Sequence, residues 1–588
     1  MKKMKNIFRI FVTIFIISIT TVSCEDYLDV PPEADITEND VFGSYYSFTG
    51  FLDQMYRYII DYNSAKICVA QNFTGETIAV QGWNTAQAAS TGNYWNLVNG
   101  RSNFNDYGNG DGKFGIWNEG WAGIRRANIA LEKLDLLIDA TPEEKNLIEG
   151  QAYFFRAFFH WEILRAYGSI PYINSVLAAD GDLQLPRFYE YKGKFDYQAC
   201  TEYLVEDLEK AAALLPEKWD STDEGRATKG AAFSLMAKAL LYAGSPLMNE
   251  FSRNSATFDT GYMSRAANAA AEVLKLADKG VYALVPFDNY LDMFARTDGL
   301  TPTTTETIFQ KIKRDVGSGE VNTFLGRLYM PHQSLFGGNA ITEAVTQNFV
   351  DIFEMADGTK YIPGGPDVGG YDFDNNKRWN NRDPRFRKAI YVDRDMAGIH
   401  PSTIMNLYDG GSTLNGGNTL SPYIVHKMWP LGVNKKDAGW NNFRYVTPHL
   451  RLAEIYLIYA EAAYQATKNA TGTSSNYSMT ALAAVNKVRA RAGQAQVTSL
   501  AVYNNDFQSL VRYERDVELC FEGHRWYDMR RWKIKPDDTL WKMSFDKNYT
   551  YFNREIIQPF IFDDRNYWMP LPRNLTSSYD GFPQNAGW

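Results

Sequence analysis

The sequence predicts a mainly α protein in which helix pairs form a scaffold and long irregular loops fill the spaces between them. Apolar residues recur at the 3.6-residue period of helices over several long segments. The segment "LRLAEIYLIYAEAAY" (450–464) is apolar on nearly every face, except for one stripe holding Arg451, Glu454 and Glu461. A helix of that kind is expected inside a bundle, not on a surface. Between the helical segments lie Gly-, Asn- and Trp-rich stretches without sustained period, and ordered loops of such length usually serve function.

The N-terminus opens with a basic head of Lys2, Lys3, Lys5 and Arg9. The apolar run Ile10–Ile19 is shorter than the roughly 20 residues a membrane span needs. Small residues follow, then Cys24. Residues 1–23 therefore read as a secretory signal peptide. Cys24 at the first mature position resembles a bacterial lipobox, in which that thiol is acylated; Thr21 stands where the pattern prefers Leu. Residues 24–40 are acidic and proline-bearing, as a solvated tether would be.

A first helix is expected over Phe42–Tyr62. Residues 72–121 then turn polar and aromatic, with too many tryptophans for a disordered segment. Ile116–Ile138 and Pro142–Tyr167 predict an antiparallel pair, with Thr141 as N-cap and Pro142 in the first turn. Tyr197–Leu215 and Thr228–Ala243 predict a second pair, stopped by Gly244 and Pro246. Tyr262–Lys279 follows, ended by Gly280. The chain reads as irregular from Pro286 to Thr447. Helix returns over Pro448–Gln465, Thr480–Ala492 (with Gly493 as C-cap) and Asp506–Glu522, ended by Gly523. Turns and short extended pieces are expected from Trp532 to Trp588. Helix pairs of this length resemble a tetratricopeptide-like solenoid, without a strict 34-residue period.

Composition narrows the function. Of 588 residues, 45% are hydrophobic and 22% charged, enough for a large core. Aromatics reach 15%, more than packing needs and suited to a surface that grips a ligand. The net charge of −9, with no basic run beyond the N-terminus, argues against nucleic acid. Besides Cys24 there are Cys68, Cys200 and Cys520, an odd number without a CxxC, so neither a disulfide framework nor a zinc site is indicated. Cys520 is expected on the apolar stripe of a helix.

Two motifs look chemical. Glu514, Glu518 and Glu522 recur every four residues, with His524 just beyond. Paired carboxylates can serve acid/base or glycosidic chemistry. Carboxylates so spaced on a helix also repel and require cations. Arg489, Arg491, Arg512, Arg515, Arg525, Arg530 and Arg531 are at hand, so a buried Arg–Glu network joining helices is the favoured reading. No HExxH, GxSxG or Walker pattern accompanies the stripe. In the second motif, Asp372, Asp374, Asn376 and Asp383 fall at calcium-loop positions 1, 3, 5 and 12. Lys377 replaces the required glycine and position 12 lacks the usual Glu, so a polar turn is expected instead of a metal site, and no cofactor is expected.

Several blocks in order resemble the SusD/RagB family of outer-membrane nutrient-binding lipoproteins: Cys24 with "EDYLD", "FFRAFFHWEILRAYGSIPYI" (154–173), "GRATKGAAFSLMAKALLYAGSP" (225–246), "NRDPRF" (381–386), "AVNKVRARAG" (484–493), "RYERDVELCFEGHRWYDMRRW" (512–532) and the closing "QNAGW". The family usually ends near "QNPGY". The resemblance implies a single body over 41–588, with an N-terminal part at about 41–250 and a C-terminal part at about 281–588. It implies a lipid on Cys24, a place on the outer face of the outer membrane, and a SusC-like TonB-dependent transporter as partner. It implies delivery of oligosaccharide, or of peptide in the RagB branch, without catalysis. A hydrolase on the same scaffold would need a facing carboxylate pair, from loop residues such as Asp106, Asp111 and Glu119. Aromatics in polar, irregular segments are the expected ligand contacts: Trp83, Tyr94 and Trp95 with Asn84 and Asn96; Tyr329 and His332; Trp379 and Arg382; and Trp440. The amides beside these rings favour a sugar over a peptide.

Overall fold

A computed structural model describes residues 36–60, 62, 70–79, 89–98, 115–179, 185–188, 190–193, 196–298, 300–313, 343–361, 379–416, 419–429, 431–434, 436–437 and 444–588. Its long helices are α1 (Tyr45–Tyr58), α2 (Ile116–Glu132), α3 (Pro142–Tyr167), α4 (Tyr197–Leu214), α5 (Lys229–Ala243), α6 (Pro246–Arg253), α7 (Thr260–Asp278), α8 (Leu452–Thr467), α9 (Ala481–Ala492), α10 (Phe507–Glu518) and α11 (Arg525–Arg531).

Local chemistry sets most of the helix starts. Thr141 accepts from the Glu144 N–H at 3.2 Å while Glu144 accepts from the Thr141 N–H at 2.8 Å, a reciprocal capping box before Pro142. Thr228 and Thr480 cap α5 and α9 through their hydroxyls, and Gly493 ends α9 at φ +73°.

The helices stack as antiparallel neighbours in a tetratricopeptide-like scaffold: α2 on α3, α3 on α4, α4 on α5, α5 on α7, α7 on α8, α8 on α10. The start of α2 meets the end of α3, with Trp117 4.9 Å from Tyr167. Gly120 and Gly123 make that approach possible, because a Cβ there would overlap Ile163 and the Phe159 ring. Gln198, opening α4, donates to the Ala243 carbonyl that closes α5 at 3.1 Å. Gln465 near the end of α8 donates to Gln508 at the start of α10 at 2.7 Å. One hydrophobic core runs through this stack from Phe42 to Phe582, so both ends of the chain share it.

Short strands interrupt the region that reads as irregular in sequence. They are β1 (Thr77–Ala79), β2 (Ala295–Arg296), β3 (Thr307–Lys313), β4 (Glu343–Val345), β5 (Ile390–Tyr391), β6 (Ile424–Val425), β7 (Arg444–Arg451), β8 (Thr539–Phe545) and β9 (Phe552–Pro559). They form sheets ordered β1-β4-β6-β5 and β2-β7-β3, and a β8–β9 hairpin. A second core lies against the β5–β6 edge and includes Phe353, Phe386, Trp429 and Phe545.

Several helix boundaries differ from expectation; α1 ends at Tyr58 and α2 at Glu132, short of Tyr62 and Ile138. Residues 448–451 belong to β7, because β3 pairs with them from some 140 residues upstream, and α8 begins only at Leu452. The helix expected to reach Glu522 ends at Glu518. Phe521 adopts φ +62° and Gly523 φ +80°, which turns the chain early. The carbonyls released there are taken up by distant side chains: Lys427 Nζ donates to Glu518 O at 2.9 Å, and Gln71 donates to Phe521 O at 2.6 Å. Cys520 therefore lies in this turn and not on a helix, and burial pushes its thiol up to about 12. Pro246, read as part of a stop, also opens α6 from the first helical turn.

Candidate ligand-binding site

The carboxylate stripe belongs to the scaffold. Glu514 pairs with Arg385 at 2.9 Å and with Arg489. Glu518 pairs with Arg451 at 2.9 Å, with Arg385 at 3.4 Å and with Arg491. Glu522, beyond the helix end, pairs with Lys427 at 2.6 Å and Arg451 at 2.8 Å. All three carboxylates are buried. Burial by itself would raise Glu518; Arg491, Arg451, Arg385 and Lys427 outweigh it and hold the carboxyl well below the usual range. A general acid needs the opposite shift. His524 sits 3.3 Å from Glu454, buried, and burial lowers its pKa. Arg489 and Arg491 act as the sequence predicts, but Arg385, Arg451 and Lys427 come from distant segments that spacing along the chain does not reveal. The remaining local cations serve other groups: Arg531 pairs with Glu461 at 2.6 Å, and Arg515 pairs with Asp528 at 2.8 Å.

Glu76 behaves in the opposite sense. It is buried, accepts from the Phe521 N–H at 3.1 Å, and is pushed up to about 7 by burial against the pull of Arg525. A folded value above that of the unfolded chain, ~4.3, means its contribution is complete below the unfolded pKa. That contribution is lost as pH rises through about 7. Glu76→Gln is therefore expected to raise the melting temperature at pH 8, by the equivalent of about 1–3 kcal/mol, and to change it little at pH 5. Melts at both pH values check this; equal changes at both would refute it.

The sheets pair strand ends that flank the polar aromatic segments in sequence. β1 pairs with β4 so that Ala79 faces Glu343. In sequence, residues 80–88, which hold Trp83 and Asn84, follow β1, and residues 314–342, which hold Tyr329 and His332, precede β4. β3 pairs with β7 so that Lys313 faces Tyr445. In sequence, the segment with Trp440 precedes β7 and 314–342 follows β3. Ala344 of β4 faces Ile424 of β6, and the Trp379 ring lies 6.5 Å from Tyr423, immediately before β6. The strand ends at Ala79 and Glu343 are thus side by side in one sheet and those at Lys313 and Tyr445 in another, while Tyr423 lies level with Val345, at the other end of β4.

Individual side chains divide into two groups. Asn96 is exposed, and Trp95 is half-buried, with Arg573 4.3 Å over its ring and Trp588 at its edge. Tyr94 is fully buried and stacks on Trp588 at 5.7 Å. Trp379 is 3% exposed, packed among Tyr423, Phe545 and Tyr549. Arg382 is 4% exposed and donates to the carbonyls of Val350 and Phe353, both at 2.7 Å. Tyr94, Trp379 and Arg382 are thus buried in this structure, as side chains that anchor a loop are. Asp383 caps the following helical turn and pairs with Arg385 at 2.6 Å, which commits its carboxylate to the fold. Trp83, Asn84, Tyr329, His332, Trp440, Asp372, Asp374, Asn376 and Cys24 lie outside the described residues.

Comparison with known proteins fits this architecture. Residues 305–588 match the model of the SusD family, and residues 26–241 match a SusD-like model described as starch-binding, associating with the outer membrane. A SusD-like protein of Formosa agariphila, P2, is 24% identical, with 80% of each chain covered. A SusD-like protein of Bacteroides ovatus is 25% identical over 75% of this chain and 68% of its own. Among solved structures, a SusD-like protein of Bacteroides fragilis shares the fold with a TM-score of 0.74 at 23% identity, covering 94% of this chain and 99% of that one. A laminarin-binding SusD-like protein aligns with a TM-score of 0.59 at 17% identity, covering 93% and 100%. The two matched segments carry between them the buried Arg–Glu network and the helix stack apart from α6 and α7, and the chain belongs to the SusD-like family.

Proposed function

We propose that this protein binds oligo- or polysaccharide at the cell surface and passes it to a SusC-like TonB-dependent transporter, without chemistry of its own. Cys24 carries the lipid that holds it to the outer membrane. The observation that supports this reading most is the pairing of sequence-distant strand ends, Ala79 with Glu343 and Lys313 with Tyr445, which flank the Trp-bearing segments in sequence. The commitment of Glu514, Glu518 and Glu522 to arginine and lysine partners favours binding over hydrolysis. Indole faces stack on the C–H faces of pyranose rings, while the amides of Asn84 and Asn96 suit hydroxyl groups. Trp83, Asn84, Trp95, Asn96, Tyr329, His332 and Trp440 form the candidate contact set.

The test is calorimetric titration of the mature protein against a polysaccharide panel. Starch and laminarin head it, because one matched family is described as starch-binding and one structural relative binds laminarin. For whichever glycan binds, Trp83→Ala is expected to weaken affinity severalfold, since an aromatic contact contributes about 1 kcal/mol, with the melting temperature nearly unchanged. New reducing ends on incubation would replace this reading with a hydrolase. Unaltered affinity in folded Trp83→Ala would move the site to the central loops.

A further inference from the structure

A cleft of about 460 Å³ lies between the α4–α5 connection and the start of β3. Its size falls within the range of small-molecule sites and far below what a folded partner requires. One wall holds the half-buried Trp219, whose indole N–H donates to the Ala227 carbonyl at 2.8 Å and so fixes the ring. The other wall is a run of hydroxyls, Thr303, Thr304, Thr305 and Thr307, with the exposed Asn289 at the rim. At the base sits Gln310, 2% exposed. Its amide donates to Thr303 Oγ1 at 3.0 Å, but its buried Oε1 accepts no hydrogen bond among the described residues. A buried acceptor without a donor is costly, and natural folds rarely leave one unless something arrives to satisfy it.

Three of the six charged side chains that line the cleft are neutralised by ion pairs. Glu217 pairs with Lys279 at 2.7 Å, Arg226 with Asp53 and Asp223, each at 2.6 Å, and Arg296 with Asp298. Asp292 accepts from Asn289 at 3.1 Å. The other three, Lys218, Glu224 and Asp292, leave a single net negative charge, so the cleft has no strong charge to recognise an ion and suits a neutral molecule rich in hydroxyl groups. We infer that this cleft binds one or two units of a neutral sugar, with a hydroxyl donating to Gln310 Oε1 and a pyranose face against Trp219. The inference takes its ligand class from the cleft itself and uses no residue of the candidate contact set. With both sites on one body, a polymer held at the loops would meet the cleft intramolecularly, and its residence would lengthen without any new high-affinity contact.

The test uses the mature protein labelled with 5-fluorotryptophan, the Trp219 resonance being assigned from Trp219→Phe. Maltose, cellobiose, laminaribiose and xylobiose are titrated separately. At least one is expected to shift the Trp219 resonance saturably in the millimolar range or below. Gln310→Met is expected to weaken that titration about tenfold, roughly the loss of one hydrogen bond. Its melting temperature should hold or rise, because an unpartnered buried acceptor is removed. Asn289→Ala, at an exposed position that cannot endanger the fold, should weaken it severalfold. A Trp219 resonance that none of the four sugars moves overturns the inference, and so does a midpoint unchanged in both variants. Trp83→Ala should leave the Trp219 titration as it is, so failure of the cleft and failure of the loop site are read separately.

Discussion

Glu518→Ala is expected to lower folding stability by about 3–5 kcal/mol, the usual result of removing one partner from a buried ion pair. Glu518 is fully buried and faces Arg451, Arg491 and Arg385, which arrive from β7, α9 and the turn after Asp383. Deleting the carboxylate leaves three guanidinium groups sharing the charge of Glu306, Glu514, Glu522 and Asp383. The variant should unfold at a clearly lower denaturant concentration. The same network sets an acid limit. Folded values of Glu518, Glu522, Glu454 and Asp528 lie below those of the unfolded chain. Their contribution is therefore present above about pH 4–5 and is lost as pH falls through the folded values. Denaturant melts of the variant, and of wild type from pH 7 downward, check both statements. A Glu518→Ala protein that melts like wild type but no longer binds glycan would transfer the stripe to the binding site.

Cys24→Ala is expected to move the protein from the membrane fraction to the soluble fraction almost completely. Each buried acyl methylene contributes about 0.8 kcal/mol to membrane residence, and more than one chain makes the anchor lasting. Among the described residues no single helix is long and apolar enough to cross a membrane. The apolar pair α5 and α6 bends by 60°, and α5 is almost wholly covered by its neighbours in the stack. On the proposed reading, membrane residence rests on the lipid. Fractionation and mass spectrometry of the mature N-terminus decide it. Retention in the outer membrane with no acylated N-terminus in wild type would refute the anchor.

The helix stack was legible because its determinants are local. Periodicity, the Thr141–Pro142–Glu144 cap and the glycines after α7 and α9 lie within a turn or two of the elements they define, so Pro142–Tyr167 appears where expected. The family blocks were legible for a related reason: they contain the buried Arg and Glu residues, whose types are constrained by one another. Individual ligand contacts were harder to read. Trp95 and Tyr94 are neighbours in similar surroundings, yet one is half-exposed and the other lies beneath the last residue of the chain. Nothing near Trp379 in sequence announces Tyr423, Phe545 and Tyr549.

The sequence by itself determined the targeting segment as an expectation, the helical class, and the need of three closely spaced glutamates for cations. Only the tertiary structure decided which cations answer, since Arg385, Arg451 and Lys427 are brought in by strands and turns far along the chain. It also decided that residues 448–451 extend as strand, that α10 stops at Glu518, and that a cleft closes around Gln310. The physical reason is common to all of these. Strand pairing, ion pairing and cavity walls are contacts between residues distant in sequence, and periodicity along one segment carries no information about what will face it.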